Sequence, residues 1–199
     1  MTKYDMDGWI ETHTGRRFFL RDPDPADVNV EDIAHALSHL CRYTGHCSQF
    51  YSVAEHSVIL CNAYMLAHPL EPGQEAVSRE HLQGAMDVLM HDAAEAYVGD
   101  VARPLKQLVP DYRVIEAGVE RAGATAMGRT YPHPAFVKEL DTRIMVDERA
   151  QVMARTAHDW STDGLEPLGA QVRFLAPHLA KSTFLYFWKR LRNDLDNPA

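Results

Sequence analysis

The chain has 199 residues, of which 46% are hydrophobic and 24% are charged, and its formal net charge is −8. A globular chain of this length can bury one good core but not two large ones, so we expect a single domain over residues 1–199. The negative charge argues against a nucleic-acid polymer as the main partner, because non-specific binding to a phosphate backbone needs clustered lysine and arginine.

The first 28 residues are expected to form an extended lead-in to the folded core. Asp22-Pro23-Asp24-Pro25 interrupts any regular element there, because proline removes a backbone donor and restricts the residue before it. A short hairpin around Thr14-Gly15 is compatible with the pattern. Trp9 and Phe18-Phe19-Leu20 in this segment can pack against the rest of the chain.

The first helix is predicted to begin after Asn29, which is a suitable N-cap residue. Its apolar stripe runs from Ile33 to Cys41. The same helix carries His35 and His39 four residues apart, a spacing compatible with a metal site. Paired histidines of this kind are more often ordinary surface or hydrogen-bonded residues, and that interpretation stays open beside the metal site.

The second helix is predicted from a capping box, Ser52-Val53-Ala54-Glu55, and is expected to run to about His68. It follows a loop over 42–51 that shows no helical periodicity. His56 lies in the first turn of this helix, where its ring can face a neighbouring helix. A histidine satisfied within the core is the alternative.

A third helix is predicted from about residue 79 to about residue 97, with Gly99-Asp100 as its stop. Residues three and four apart share one face of a helix, so His91, Asp92 and Glu95 would occupy neighbouring positions. Each of these groups, left unpaired at a buried edge, would cost several kcal/mol to desolvate. A bound metal ion is the simplest compensation, and an ordinary polar helix face is the alternative.

Residues 101–110 contain Arg103-Pro104-Leu105-Lys106, which predicts a turn with two cations close to the acidic cluster. Surface charge explains these cations equally well. A helix follows from Asp111, and Gly128–Pro134 predicts a loop.

A further helix is predicted with Pro134 at its N1 position and an end near Thr156. Its apolar stripe contains Asp141, an acid without a local partner. Asp147 falls off that stripe at 100° per residue, so Asp141 is the better candidate ligand of the two.

Residues 157–176 are expected to be irregular, and a last amphipathic helix is expected from about Pro177 to Leu195. Its aromatic residues Phe184, Phe187 and Trp188 suit either core packing or a subunit interface. No segment predicts a convincing strand. The elements together predict an all-α fold with its core over about 29–156, the lead-in over 1–28 and the C-terminal helix over about 177–195.

The cysteines Cys41, Cys47 and Cys61 are too few and too irregularly spaced for a disulfide framework. Reduced thiols, a polar N-terminal segment and the lack of an apolar run of about 18 residues together favour a cytoplasmic protein without a membrane span. For a phage-encoded chain this would be the host cytoplasm.

The ionisable positions follow the order His56, then His91-Asp92, then Asp141 on consecutive predicted helices. This order resembles the HD-domain metal-dependent phosphohydrolases. The longer strings IAHALSHLCRY, FYSVAEHS, HDAAEAYVGD followed by RPLK, and VKELD are similar to the branch that contains bacterial 5′-deoxynucleotidases and phage dATP triphosphohydrolases. The resemblance covers about Asp32 to Asp147 and implies an HD-domain helical bundle.

The resemblance implies that one metal ion is held by His56, His91, Asp92 and Asp141. Two imidazoles and two carboxylates suit Co, Mn, Fe, Ni or Zn better than Ca or Mg. Open coordination positions would hold water and a phosphate oxygen. A second divalent ion could accompany the substrate phosphates.

The resemblance also implies roles in catalysis and substrate binding. The family's catalytic glutamate falls on Glu95, where it can exchange a proton with water or the leaving oxygen, and the family's GD aspartate falls on Asp100. The substrate-binding positions fall on Arg42, Tyr43 and Lys106, with arginine able to bind phosphate in bidentate fashion. Tyr43 stands where tryptophan is common in the nucleotidases, a departure that bears on sugar and base specificity.

The compact chain looks more like the phage dATP triphosphohydrolases, so the expected reaction converts dATP and water to deoxyadenosine and triphosphate. A 5′-deoxynucleotidase acting on dNMPs is one alternative, and a non-catalytic nucleotide-binding module is another. Other HD branches act on cyclic nucleotides or guanosine tetraphosphate. Arg103, Arg113 and the loop His46–Gln49 are candidate contacts for a longer phosphate chain. The resemblance further implies a homo-oligomer.

Overall fold

The computed structural model describes residues 8–69, 77–158, 160, 162 and 164–197. Across these residues the chain forms eight α-helices and one two-stranded sheet. The predicted all-α fold class is therefore confirmed.

The lead-in forms the hairpin that the pattern allowed. Strand β1, Trp9–Glu11, pairs antiparallel with strand β2, Arg17–Phe19. Gly15 adopts a φ of 76° in the connecting turn, a conformation that glycine adopts without steric cost. Phe18 is fully buried and its ring stacks 3.9 Å from that of Tyr97. The lead-in thus contributes to the core, and a single 3-10 turn at Pro25–Asp27 leads out of it.

Helices α1, Val30–His39, and α2, Val53–Ala67, begin at the predicted caps. The Asn29 side chain accepts a hydrogen bond from the backbone N–H of Glu31, and the Ser52 hydroxyl accepts one from the backbone N–H of Glu55. Both bonds satisfy donors that the first turn of a helix leaves without an intrahelical partner.

The predicted helix over 79–97 is wrong as a continuous element. Helix α3, Arg79–Leu89, ends at the Met90 cap, and a short helix α4, Glu95–Val98, follows after a series of turns. Backbone N–H groups in these turns bond to carbonyls three residues back, as in His91 N to Val88 O and Glu95 N to Asp92 O. The His91 ring also contacts the Val88 carbonyl through Nδ1 at 2.8 Å, so a side chain competes for a helical acceptor.

The remaining helices are α5, Arg103–Leu108; α6, Pro110–Met127; α7, Ala135–Val152; and α8, Pro177–Asp196. Helix α5 corrects the predicted turn, because Pro104 occupies a first-turn position where its missing N–H costs nothing. Pro134 is the N-cap of α7 rather than its N1 residue, and α7 ends at Val152 rather than near Thr156.

Helix α8 packs against α1, α2 and α3. Phe184 is fully buried, and Phe187 and Trp188 pack half-buried on the same hydrophobic cluster. The aromatic face of α8 is therefore core, and the core extends beyond the predicted 29–156. No helix in the described part of the chain is both long and apolar enough to span a bilayer.

Candidate metal centre and substrate cavity

Three donor side chains from separate parts of the chain have donor atoms within 4.8 Å of one another: His56 in α2, His91 in the turns after α3, and Asp141 in α7. His56 Nε2 is 3.3 Å from His91 Nε2 and 3.3 Å from Asp141 Oδ1. His91 Nε2 is 3.8 Å from Asp141 Oδ1. Residues far apart in the chain thus converge on one point.

Asp92 lies at the edge of this group. Its Oδ2 atom is 3.2 Å from His91 Nε2 and 3.7 Å from His56 Nε2. Donor atoms held at about 2.1 Å from one ion lie roughly 3 to 3.5 Å apart, which is close to these spacings. Three of the four predicted ligand residues therefore share one position, and Asp92 lies within 4 Å of both imidazoles beside it.

The hydrogen bonds of the two histidines explain why this position suits a cation. His56 Nδ1 lies 2.6 Å from Glu148 Oε1 and His91 Nδ1 lies 2.8 Å from the Val88 carbonyl oxygen, and both partners can only accept. Each neutral ring therefore carries its proton on Nδ1 and leaves a lone pair on Nε2. Two such lone pairs face each other beside carboxylates, so the residues present fit a divalent metal ion.

The pKa values of His91 and Asp141 also indicate that positive charge is stabilised at this position. Burial by itself lowers the pKa of the His91 imidazole, but the Asp92 and Asp141 carboxylates raise it well above its ordinary value. Burial by itself raises the pKa of Asp141, but hydrogen bonds from His56 and His91 hold it well below the usual range. The carboxylates thus stabilise positive charge at this point, whether it is a proton or a metal ion.

Glu95, at the start of α4, is buried next to this group. Its Oε1 atom lies 3.5 Å from Lys106 Nζ, and its Oε2 atom has no hydrogen-bond partner among the described residues. Burial, reinforced by the charges of Asp92 and Asp100, raises the pKa of Glu95 well above its ordinary value. A buried carboxyl with an unpaired oxygen and a raised pKa is typical of a group that handles protons. Because the helix breaks before it, Glu95 does not share a helical face with His91 as predicted.

Asp100 and Lys106 line the same cavity as Glu95. Asp100 follows Gly99, and burial raises its pKa. Lys106 Nζ donates to Glu116 Oε1 at 2.5 Å, a partner that the sequence analysis did not identify. The cation predicted to bind phosphate is therefore already held between Glu116 and Glu95.

Arg42 and Tyr43 are both bound to the buried carboxylate of Glu148. Arg42 Nη2 lies 3.1 Å from Glu148 Oε2, and its Nη1 lies 3.6 Å from Asp92 Oδ2. The Tyr43 hydroxyl donates to Glu148 Oε2 at 2.5 Å. Tyr43 and Thr44 both have a φ of 54°, a strained conformation for residues with side chains.

We call His56, His91, Asp92 and Asp141 the metal group. A cavity of about 640 Å³ opens next to it, a size within the range of small-molecule sites. Asp92, Asp141, Glu95 and Asp100 line one part of it, together with Arg42 and Tyr43. Its other charged lining is cationic and consists of Arg103, Lys106, Arg113 and Lys138. Two of the predicted phosphate-chain contacts, Arg103 and Arg113, therefore line the cavity, whereas the predicted loop His46–Gln49 does not. Lys138, one turn before Asp141, was missed.

Glu148 is a fully buried acid beside the site that the sequence motifs did not indicate. It lies on α7 seven residues after Asp141, a spacing that returns to the same helix face, and it has no exposed surface. Burial by itself raises the pKa of Glu148, but Arg42 and His56 hold it well below its ordinary value. Its place on an apolar stripe was the available signal.

His35 and His39 do not join the metal group. The His35 ring stacks on those of His13 and His39, with centroids 3.5 and 4.3 Å apart. The alternative, a set of surface histidines, describes them better within the described residues.

No family model matches this chain. The chain is 33% identical over 181 residues to the uncharacterized protein YfdR of Escherichia coli K12, covering 89% of this chain and 92% of YfdR. It is also 35% identical over 103 residues to an uncharacterized protein of Rhodobacter capsulatus, covering 51% of this chain and 48% of that protein. The chain belongs to the same family as YfdR. Neither relative carries an assigned activity.

Proposed function

We propose that this protein is an HD-domain, metal-dependent phosphohydrolase of 2′-deoxynucleotides, with hydrolysis of dATP to deoxyadenosine and triphosphate as its reaction. One observation carries the proposal: two histidine Nε2 atoms lie within 4 Å of each other and of carboxylate oxygens, beside the unpaired oxygen of Glu95, in a cavity that cationic side chains also line. The choice of dATP depends on the family resemblance of the sequence motifs.

The proposed resident cofactor is one ion of Co, Mn, Fe, Ni or Zn held by His56, His91, Asp92 and Asp141. When bound, such an ion would lower the pKa of a water molecule and polarise a phosphoryl group. The Nδ1 hydrogen bonds of the two histidines keep their Nε2 atoms available as donors.

In the proposed reaction, Glu95 accepts a proton from the water that attacks the phosphorus nearest the sugar. The bond from that phosphorus to the 5′ oxygen breaks, and the 5′ oxygen leaves with the proton that Glu95 held. The raised pKa of Glu95 makes its carboxylate a better proton acceptor, and the Oε2 atom, which has no hydrogen-bond partner among the described residues, is available to take the proton. Lys106, 3.5 Å from Glu95 Oε1, orients this carboxyl.

Arg42 and Lys106 would neutralise the phosphoryl group that reacts. Arg103, Arg113 and Lys138 also line the cavity, where they would bind the remaining phosphates of a triphosphate. A monophosphate would leave these three cations without a phosphate to bind. Their presence in the cavity lining therefore favours a triphosphate substrate over the monophosphate substrate of a 5′-deoxynucleotidase.

A product assay with a catalytic variant tests the proposal. Metal-loaded protein is incubated with dNTPs, dNMPs and cyclic nucleotides, and the released phosphate species are identified by ion chromatography. We expect triphosphate from dATP, and at least a 100-fold loss of kcat in Glu95→Gln with unchanged metal content. Phosphate released from dNMPs alone would favour the nucleotidase, and metal binding without any turnover would favour a non-catalytic module.

A further inference from the structure

The carboxylate of Glu148 lies fully buried in α7 and accepts hydrogen bonds from four side chains. Oε1 accepts from the Tyr51 hydroxyl at 2.7 Å and from His56 Nδ1 at 2.6 Å. Oε2 accepts from the Tyr43 hydroxyl at 2.5 Å and from Arg42 Nη2 at 3.1 Å. The two oxygens therefore serve two different parts of the site.

The Oε1 side acts on a metal ligand. A carboxylate that accepts from Nδ1 fixes the tautomer and the ring orientation of a histidine and raises the basicity of its Nε2 atom. His56 Nε2 is thereby directed at His91 Nε2 and Asp141 Oδ1, each 3.3 Å away. Without this acceptor, the ring could rotate or carry its proton on Nε2.

The Oε2 side acts on the cavity wall. Arg42 and Tyr43 line the cavity, and both are bound to Oε2. The backbone at Tyr43 and Thr44 is held at a φ of 54°, which residues with side chains adopt only when their surroundings enforce it. The hydroxyl bond to Glu148 is one such constraint.

We propose that Glu148 is a positioning residue with two roles: it orients His56 toward the metal ion through one oxygen, and it holds the Arg42–Tyr43 pair at the substrate wall through the other. This inference rests on the proposed metal-dependent function for its substrate half. A carboxylate that only satisfied buried donors would affect stability without affecting either readout described below.

The metal half is tested with Co²⁺ alone, which requires no turnover. Affinity is measured by competition with a chelator, and the absorption spectrum of bound Co²⁺ reports the ligand geometry. We expect Glu148→Gln to weaken Co²⁺ binding 10- to 100-fold and to change the spectrum, because a neutral amide oxygen is a weaker acceptor for His56 Nδ1–H than a carboxylate, and because the amide NH2 group would have to face two of the four donors. Tyr51→Phe is the matched control, since it removes a donor to the same oxygen without touching a ligand, and it should leave affinity within threefold.

The substrate half is tested with Tyr43→Phe. We expect this variant to keep Co²⁺ affinity within threefold and to weaken dATP binding at least fivefold, measured by calorimetry on Co²⁺-loaded protein in which Glu95→Gln prevents hydrolysis of the dATP. An unchanged dATP affinity would overturn this half. If no variant or wild type binds any nucleotide, the proposed function fails while the Co²⁺ result still decides the role of Glu148 toward His56.

Circular dichroism and thermal unfolding establish that each variant is folded. Should Glu148→Gln fail to fold, Glu148→Asp replaces it, and a folded Glu148→Asp with Co²⁺ affinity equal to wild type would overturn the proposal. A loss of Co²⁺ affinity in Tyr51→Phe as large as that in Glu148→Gln would also overturn the proposal, because the loss would then reflect general packing around Glu148.

Discussion

At the scale of single residues, neighbouring acceptors decide what each side chain can do. His56 and His91 have the same chemistry, but one is oriented by a carboxylate and the other by a backbone carbonyl. The two aspartates of α7 also differ in the partners that their carboxylates contact. Asp141 faces the imidazoles, whereas Asp147 accepts from the backbone N–H groups of Leu168 and Gly169.

Asp141→Asn and Asp147→Asn form a matched pair on one helix. We expect Asp141→Asn to weaken divalent-metal affinity at least tenfold, because an amide donates weakly to a cation. Asp147→Asn should keep the affinity and cost roughly 1 to 2 kcal/mol of unfolding free energy, because it weakens two hydrogen bonds to a charged acceptor. Metal titration and urea unfolding measure the two effects. Equal metal affinity in both variants would contradict the assignment of Asp141 as a ligand.

At the scale of elements, close packing of α2 on α3 fixes the position of the helix that precedes His91. Gly84 of α3 faces Tyr64 of α2 so closely that a Cβ atom there would lie 2.1 Å from the tyrosine hydroxyl oxygen. The break after α3 then turns the chain so that His91 meets His56. The geometry of the metal group thus depends on how closely two helices approach each other.

Gly84→Ala is expected to destabilise the protein by roughly 1 to 3 kcal/mol, because overpacking outweighs the better helix propensity of alanine. Gly123→Ala is the control. It lies in α6, where an added Cβ meets nothing within 4 Å, so the substitution should stabilise by up to about 1 kcal/mol. Chemical denaturation compares the two. A gain in stability for Gly84→Ala would show that Tyr64 moves aside without cost.

At the scale of the whole molecule, the C-terminal helix completes the core that supports the site. Helix α8 covers α1, α2 and α3, and Phe184 lies in the shared hydrophobic cluster. The segment before α8 is bound to α2, because both carboxylate oxygens of Glu55 accept backbone N–H groups, those of Arg173 and Leu175. The homo-oligomer implied by the resemblance stays a prediction.

Phe184→Ala is expected to cost roughly 3 to 5 kcal/mol of unfolding free energy, the range for removing a buried aromatic ring. Tyr186→Ala, on the exposed side of the same helix, should change it by no more than about 0.5 kcal/mol. The two are compared by thermal or urea unfolding at several protein concentrations. Comparable losses in both variants would argue that the outer face of α8 is also buried in solution.

Local pattern and chemistry determined much of this protein from the sequence alone. The caps at Asn29 and Ser52 marked helix starts, because an N-cap side chain bonds to backbone two or three residues away. The apolar periodicity indicated an all-α fold. The order of His56, His91 and Asp141 singled out residues that the structure brings together.

Tertiary structure alone decided which buried groups meet. At the end of α3 the His91 ring contacts the Val88 carbonyl, and Glu148 acquires its partners from residues about a hundred positions earlier in the chain. Periodicity reports which face of a helix is buried, but it carries no information on which distant side chain will occupy the space opposite. Buried polar groups must find partners wherever the packing of the helices supplies them, and only the folded chain determines where that is.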